Sequence, residues 1–391
     1  MRAGFLFLAL QFQNRLAHAI LALSVMAFWD SRGTTRRMRL TCSPPRENEV
    51  TMLAATFFGK HDVRIGECPV PDIGDDEILV RVAACGICGT DVHIYEGEVP
   101  LARLPVIAGH EFCGTVERIG RAVTDVALGD KVAIEPNLFC GRCHYCRTGR
   151  KHFCAHWAGI GLTRNGGFAQ FAAVPSRAAY KMPQELSFKH GAFFEPVACV
   201  LHGIERVGLM PGDTVVVCGA GSIGLLFIQL LKRAGAGRIV VSDPDSVKLA
   251  VARQLGADVV VDPTETDLKE TVMDNTNGLG ADVAIDASGM PEAISSLFGL
   301  VQHTGRILLF GVTPEEAEIR VRPFDIYRRE LTLLGSFTNP YTNEAALNLL
   351  GSLNLDMIVT HQIRLSQLVQ DGIQAIRRKT QGVIKVQVVF E

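Results

Sequence analysis

The segment CGICGTDVHIYEG, residues 85–97, sets two thiols, a hydroxyl, a carboxylate and an imidazole within nine positions. A second run, GHEFCG, adds His110 and Glu111. Cys88, His110 and Glu111 form a mixed donor set that suits a zinc ion with one position left for water or substrate. Taken singly, each has an ordinary reading: a small buried hydrophobe, a hydrogen-bonded core histidine, a surface acid. Gathered in glycine-flanked turns, they point to a metal. Glu195, in FFEPVACVLHG, lies among apolar residues where an unpaired charge is expensive, so it is expected to face that metal or its water. Cys85 makes a CxxC with Cys88, but nothing else suggests a thioredoxin-like fold, and it reads as packing.

A third run, CGRCHYCRTGRKHFC, spaces Cys140, Cys143, Cys146 and Cys154 as CxxCxxCx7C. Four thiolates on one turn-rich lobe can enclose zinc tetrahedrally, a closed structural site. An iron–sulfur run would have a shorter last gap followed by Pro, whereas Ala155 follows here.

VVVCGAGSIG places Gly219, Gly221 and Gly224 in GxGxxG spacing between a strand and a helix. Such a turn brings backbone against a pyrophosphate, with the helix's unpaired N–H groups aimed at the anion. The next strand ends at Asp243, where a carboxylate can accept from an adenosine ribose. Pro244 follows and no Arg stands beside it, which favours NAD over NADP. Lys248 reads equally as a cover for the adenine ribose or as a solvated helix lysine. The expected cofactor contacts are Gly219, Gly221, Ser222, Ile223, Gly224, Asp243, Lys248, Phe310, Gly311, Val312, Ser336 and Phe337.

These residues need rigid elements around them, and the chain can supply them. It has 391 residues, 48% hydrophobic and 20% charged, enough for two cores, and a formal charge of −2 without a basic cluster that could track nucleic acid. Eleven cysteines clustered in so long a chain suggest metal ligation in a reducing, cytoplasmic compartment. From Met52 the runs EILVRVAACG, PVIAGHEFCGTVERIG and GDKVAIEP read as strands of a β-rich domain, with helical periodicity scarce before residue 185. Beyond about residue 200, DTVVVCG, RIVVSD, DVVVD, DVAIDAS and GRILLFG alternate with helix-length segments. That rhythm predicts an α/β fold with a doubly wound parallel sheet. NEAALNLLGSL and LSQLVQDGIQAIRR read as helices, and IKVQVVF as a last strand that returns to the first domain.

The amino-terminal runs GFLFLAL and LAHAILALSVMAFW are broken by Gln11, Gln13, Asn14, Arg15 and His18, short of the roughly 18 apolar residues that a bilayer requires. A basic start before an apolar run leaves a signal peptide open, without a clean cleavage site after Phe28 and Trp29. The expectation is a functional start at Met52, the preceding residues being a disordered extension or the product of a misplaced start codon.

The motifs together resemble the zinc-dependent medium-chain alcohol dehydrogenases, particularly their polyol (sorbitol-like) branch. GHEFCGTVERIGRAV, CGICGTDVH, the four-cysteine lobe, GGFAQF, EPVACVLHG and GAGSIG occur in family order across residues 52–391. The resemblance leaves residues 1–51 outside it as an extension and implies a GroES-like catalytic domain over 52–199 with its lobe at 140–154, a Rossmann domain over 200–335 and a return to the catalytic domain over 336–391. It implies Cys88, His110, Glu111 and Glu195 as the catalytic zinc set, Glu195 directly or through water. Thr90 falls at the position of the proton-relay hydroxyl and His93 further along the relay. Asp91 falls at that of the carboxylate that orients the ligand imidazole.

It also implies a homodimer or homotetramer and reversible, NAD-linked oxidation of a polyol's secondary alcohol. Sorbitol-like members carry an Arg-Tyr pair where this chain has Thr338 and Asn339, and a tyrosine where it has Ile94, so sorbitol itself is disfavoured. The rivals are a threonine dehydrogenase, a non-catalytic nucleotide-binding relative, whose ligand set would show gaps, and a zinc-free quinone reductase, against which the cysteines speak.

Overall fold

The computed structural model describes residues 50–390, so the expectations for residues 1–49 lie outside the described residues. Val50 and Thr51, assigned above to the extension, belong to the first ladder. Val50 O accepts from Val70 N at 3.0 Å, and Thr51 lies opposite Pro69.

The strand Glu77–Gly86 is buried along most of its length because it has neighbours on both sides and cover on both faces. In the sheet built on it the order is Ala179–Lys181, Lys131–Ile134, Glu111–Ile119, Glu77–Gly86, Lys385–Val389, Val359–Ile363. Lys385–Val389 pairs antiparallel with Glu77–Gly86, with Gln387 opposite Gly86, so the end of the chain sits beside the CGICG turn. Phe57, Phe112, Phe168, Val80 and Val388 are among the side chains of this core.

The second sheet is wholly parallel, ordered Val259–Val261, Arg238–Ser242, Thr214–Cys218, Ala281–Asp286, Val301–Leu309, Thr332–Gly335. Its strands are runs of Val, Ile and Leu because helices cover both faces. The order reverses between Thr214–Cys218 and Ala281–Asp286, where such sheets open a crevice at their carboxyl ends. One helix, Phe194–Val207, joins the two halves and crosses the expected boundary at residue 200. Its Phe194, Val197, Ala198 and Val200 pack in one cluster with Ala84 and Cys113 of the first sheet and Val215 and Val217 of the second.

The structure departs from the expected elements in three places. Gly89–Glu96 is a helix in the stretch before residue 185 where helical periodicity is scarce; eight residues are too few to show periodicity, and Asp91 closes its first turn by accepting Cys88 N at 2.9 Å. LSQLVQDGIQAIRR is not one α-helix but a 3₁₀ turn, a π-helical stretch Leu368–Ile373 and a short α-helix Gln374–Arg377. Gly372 lies against Ile87 there, where a β-carbon would collide with the isoleucine. Val359–Ile363 is an unforeseen strand at the sheet edge, largely exposed and hence without an apolar signature. Among the described residues, no helix is long and apolar enough to cross a membrane.

Candidate active site

Cys88 precedes the Gly89–Glu96 helix in extended conformation. Asp91, fully buried, accepts the backbone N–H of Cys88 at 2.9 Å and of Gly109 at 3.3 Å. This carboxylate ties the Cys88 turn to the segment that carries His110 and Glu111. In consequence Cys88 Sγ, a ring nitrogen of His110 and a carboxylate oxygen of Glu111 lie within 4.8 Å of one another. His110 Nδ1 is 3.7 Å from Asp91 Oδ1, too long for a hydrogen bond, and is buried without a partner. Burial opposes a charge on His110, but Asp91 and Cys88 beside it raise its pKa well above the ordinary value. A thiol, an imidazole nitrogen and a carboxylate oxygen gathered this closely are a donor set that a divalent cation would satisfy.

Glu195 stands in the first turn of Phe194–Val207, outside that cluster of three ligand atoms. Its Oε1 accepts from Cys199 Sγ at 3.1 Å, one helical turn on. Removal from water raises its pKa to about 7, with His110 opposing and Glu111 adding to the rise. Thr90 Oγ1 lies 3.8 Å from Cys88 Sγ, and His93, three residues further on the same helix face, holds Glu98 Oε2 at 2.7 Å through Nδ1. Ile94 is buried in the core of the first sheet. Cys85 is likewise fully buried, as packing requires.

Sequence reasoning missed Lys385. Its Nζ is buried against Glu111 Oε2 and donates to Ile87 O at 3.1 Å. A β-carbon on Gly86 would overlap both side chains, so only glycine leaves them room. No local signal marks the pair, because its members are 274 residues apart. Also missed was Glu135, whose oxygens accept from Asn137 N and Nδ2, Asn339 Nδ2 and Asn343 Nδ2. Asn339, one of the two residues at the Arg-Tyr position, is thus a buried clamp between the two halves.

The four cysteines of the lobe also converge. Cys143 Sγ is 3.6 Å from Cys146 Sγ and 3.9 Å from Cys154 Sγ. Four sulfurs around zinc at about 2.3 Å would be about 3.8 Å apart, so the cluster fits. The backbone N–H groups of Cys146 and Ala155 draw the Cys143 thiol down to about 6, while burial pushes Cys146 up to about 12.

At the crevice, Gly221 starts the helix Ser222–Ala234, which sets Ser222 and Ile223 in its first turn. A β-carbon on Gly224 would overlap the Gly219 carbonyl oxygen, which is the close helix–strand approach that the motif exists to allow. Asp243 accepts from Ala220 N at 2.8 Å and from Asp245 N at 2.9 Å, so it braces the glycine turn from the end of the neighbouring strand. Lys248 Nζ is 3.9 Å from Asp245 Oδ2. Phe310, Gly311 and Val312 follow the strand Val301–Leu309, and Ser336 and Phe337 follow Thr332–Gly335. All five thus leave the carboxyl ends of parallel strands; Phe310 packs edge-on to Phe227, and Val312 and Phe337 are exposed.

A donor cluster of soft and hard ligands on a β-rich domain, joined to a dinucleotide-type crevice, defines a metal-assisted oxidoreductase. Residues 74–184 match the alcohol dehydrogenase GroES-like domain and residues 222–352 the zinc-binding dehydrogenase domain. The chain is 35% identical to the D-arabitol-phosphate dehydrogenase of Enterococcus avium over 76% of this chain and 86% of that one. It is 35% identical to the L-threonine 3-dehydrogenase of Pyrococcus horikoshii over 81% and 92%. A solved structure described as a zinc-binding dehydrogenase of Sinorhizobium meliloti 1021, bound to NADP, superposes with a TM-score of 0.84 at 37% identity, covering 88% of this chain and all of that one. The chain belongs to the zinc-dependent medium-chain alcohol dehydrogenase family and is an oxidoreductase.

Proposed function

We propose that the protein oxidises a secondary alcohol of a polyol reversibly to the ketone, with NAD as partner. The observation that carries this is the Cys88–His110–Glu111 cluster beside Glu195, on the helix that leads into the nucleotide domain. A zinc ion held there would supply Lewis acidity toward the alcohol oxygen, and a bound nicotinamide would supply the hydride acceptor. Cys88, His110 and Glu111 would hold the metal, with Glu195 as a further ligand or the holder of its water. Asp91 fixes the backbone at Cys88 and at Gly109, the residue before His110. Thr90 Oγ1, next to Cys88, takes the substrate proton and hands it toward His93, where Glu98 holds the ring in place. The four-cysteine lobe holds a second, structural zinc.

The cofactor preference follows from Asp243. An adenosine 2′-phosphate would meet its carboxylate, and the nearest ammonium, on Lys248, already faces Asp245. Asp243→Ser is expected to lower the NAD-over-NADP ratio of kcat/KM by about tenfold, the scale of one charged hydrogen bond. An unchanged ratio would count against the role, and a loss with both cofactors would show that bracing the turn dominates.

The reading is tested with polyols, phosphorylated polyols and L-threonine, each with NAD and NADP on the zinc-loaded enzyme. Turnover of a polyol with NAD is expected. Turnover of threonine alone selects the other reading, which the equally similar threonine dehydrogenases support.

A further inference from the structure

The segment after the last helix carries a lysine where the backbone favours glycine. The helix Gln374–Arg377 stops with Lys379 N bonded to Ile376 O at 3.0 Å and Thr380 N to Ala375 O at 3.1 Å. Such a stop needs one left-handed residue, a position that glycine fills without strain. Lys379 fills it here, with φ 48°. The residue is exposed, so core packing does not call for its side chain.

The segment is fastened over the nucleotide-type crevice at two points. Gly382 N donates to Asp245 Oδ2 at 3.0 Å, and Lys379 Nζ donates to Met290 Sδ at 3.4 Å. Asp245 caps the helix that follows the strand Arg238–Ser242, and its own N–H is held by Asp243 Oδ1. Met290 caps the helix Pro291–Leu297, which follows the strand Ala281–Asp286. These two strands flank Thr214–Cys218, one on each side. They are therefore about 10 Å apart, a gap that three extended residues cover. Residues 379–382 thus bridge the carboxyl end of Thr214–Cys218, where the glycine turn opens the crevice.

Charge says what a lysine can do there. The turn GAGSIG, residues 219–224, has no basic side chain. It offers a pyrophosphate its backbone N–H groups and the start of the helix Ser222–Ala234, worth roughly half a positive charge against two negative ones. On one flank stand Asp243 and Asp245, and Lys248 Nζ is 3.9 Å from Asp245 Oδ2. On the other, Lys379 rests on a thioether, an uncharged and weak acceptor that a phosphate oxygen would readily displace.

We propose that Lys379 reaches over the crevice from the returning segment and binds the pyrophosphate of the dinucleotide, so that both halves of the molecule grip the cofactor. The proposal rests on the NAD-linked reading above and adds to it a contact from outside the glycine turn.

The test is NADH binding to the zinc-loaded full chain, followed by nicotinamide fluorescence without substrate. Lys379→Met is expected to raise the Kd for NADH by about tenfold, the scale of one charge-assisted hydrogen bond, and Lys379→Arg to hold it within about threefold. ADP-ribose, which keeps the pyrophosphate, is expected to lose the same factor as a competitor, and adenosine, which lacks it, to lose nothing. Added salt should weaken binding to the unmodified protein more than to Lys379→Met. Lys379→Gly separates binding from a structural role: relief of the left-handed strain should raise the melting temperature by about 2 °C while NADH affinity still falls. Unchanged NADH affinity in Lys379→Met, or an equal loss for adenosine, overturns the proposal. So does a loss confined to NADPH, which assigns Lys379 to an adenosine 2′-phosphate instead. Binding of NADPH without NADH overturns the NAD reading alone, and Lys379 is then read on NADPH and ADP-ribose; binding of neither dinucleotide overturns both.

Discussion

Cys88→Ala is expected to lower kcat/KM for the true substrate by about 10³-fold or more and to reduce bound zinc from two ions per chain to one. The cluster of three ligand atoms loses its only thiolate. Of the two that remain, Glu111 already shares an oxygen with Lys385, which leaves His110 as the single uncommitted ligand. A Lewis acid is worth several kcal/mol to such a reaction, and each 1.36 kcal/mol is tenfold in rate. The fold should survive, since the four-cysteine lobe is untouched and Cys88 is only partly buried. Metal analysis by plasma mass spectrometry, circular dichroism and steady-state kinetics on one preparation check all three statements. Glu195→Ala serves as the companion, with loss of activity expected. Turnover kept in both variants, or full activity with only the lobe occupied, removes the assignment.

What could be read from the sequence was what short spacing encodes. The strand–turn–helix at Gly219 to Gly224 and the four cysteines of the lobe, Cys140 to Cys154, each lie within fifteen residues, where chain geometry alone brings the groups together. Cys88 with His110 and Glu111 was legible through residue type, because thiol, imidazole and carboxylate together have few other uses. Lys385 with Glu111 and Glu135 with Asn343 were not legible. Their members are 274 and 208 residues apart, and only the return of the last strand, or the docking of the loop after the last parallel strand, makes them neighbours. The helix at Gly89–Glu96 escaped for a different reason: the tertiary hydrogen bonds of Asp91, rather than an apolar stripe, hold it.

The pair formed by Lys385 and Glu111 leads to the second large expected effect. Lys385→Met should destabilise the zinc-stripped protein by about 3–5 kcal/mol, because it leaves a carboxylate buried without a counter-charge. Both side chains are at most 4% exposed, and Gly86 closes over them so tightly that water has no room to replace the ammonium. Burial works against the charge on Lys385, but Glu111, with Cys88 and Asp91, more than offsets it, so its pKa is raised. A raised lysine contributes its stability in full below its unfolded pKa of about 10.4 and loses it only as pH climbs through the folded value, so a measurement at pH 7 reads the whole effect. The melting temperature should fall by roughly 5–10 °C. Zinc changes the sign of the local problem: a dication beside Glu111 supplies the missing positive charge, so the loaded variant should lose much less than the stripped one. Glu111→Gln combined with Lys385→Met should recover most of the loss in the stripped protein, since no charge is then left buried. Equal destabilisation with and without zinc would mean that Lys385 acts by packing alone.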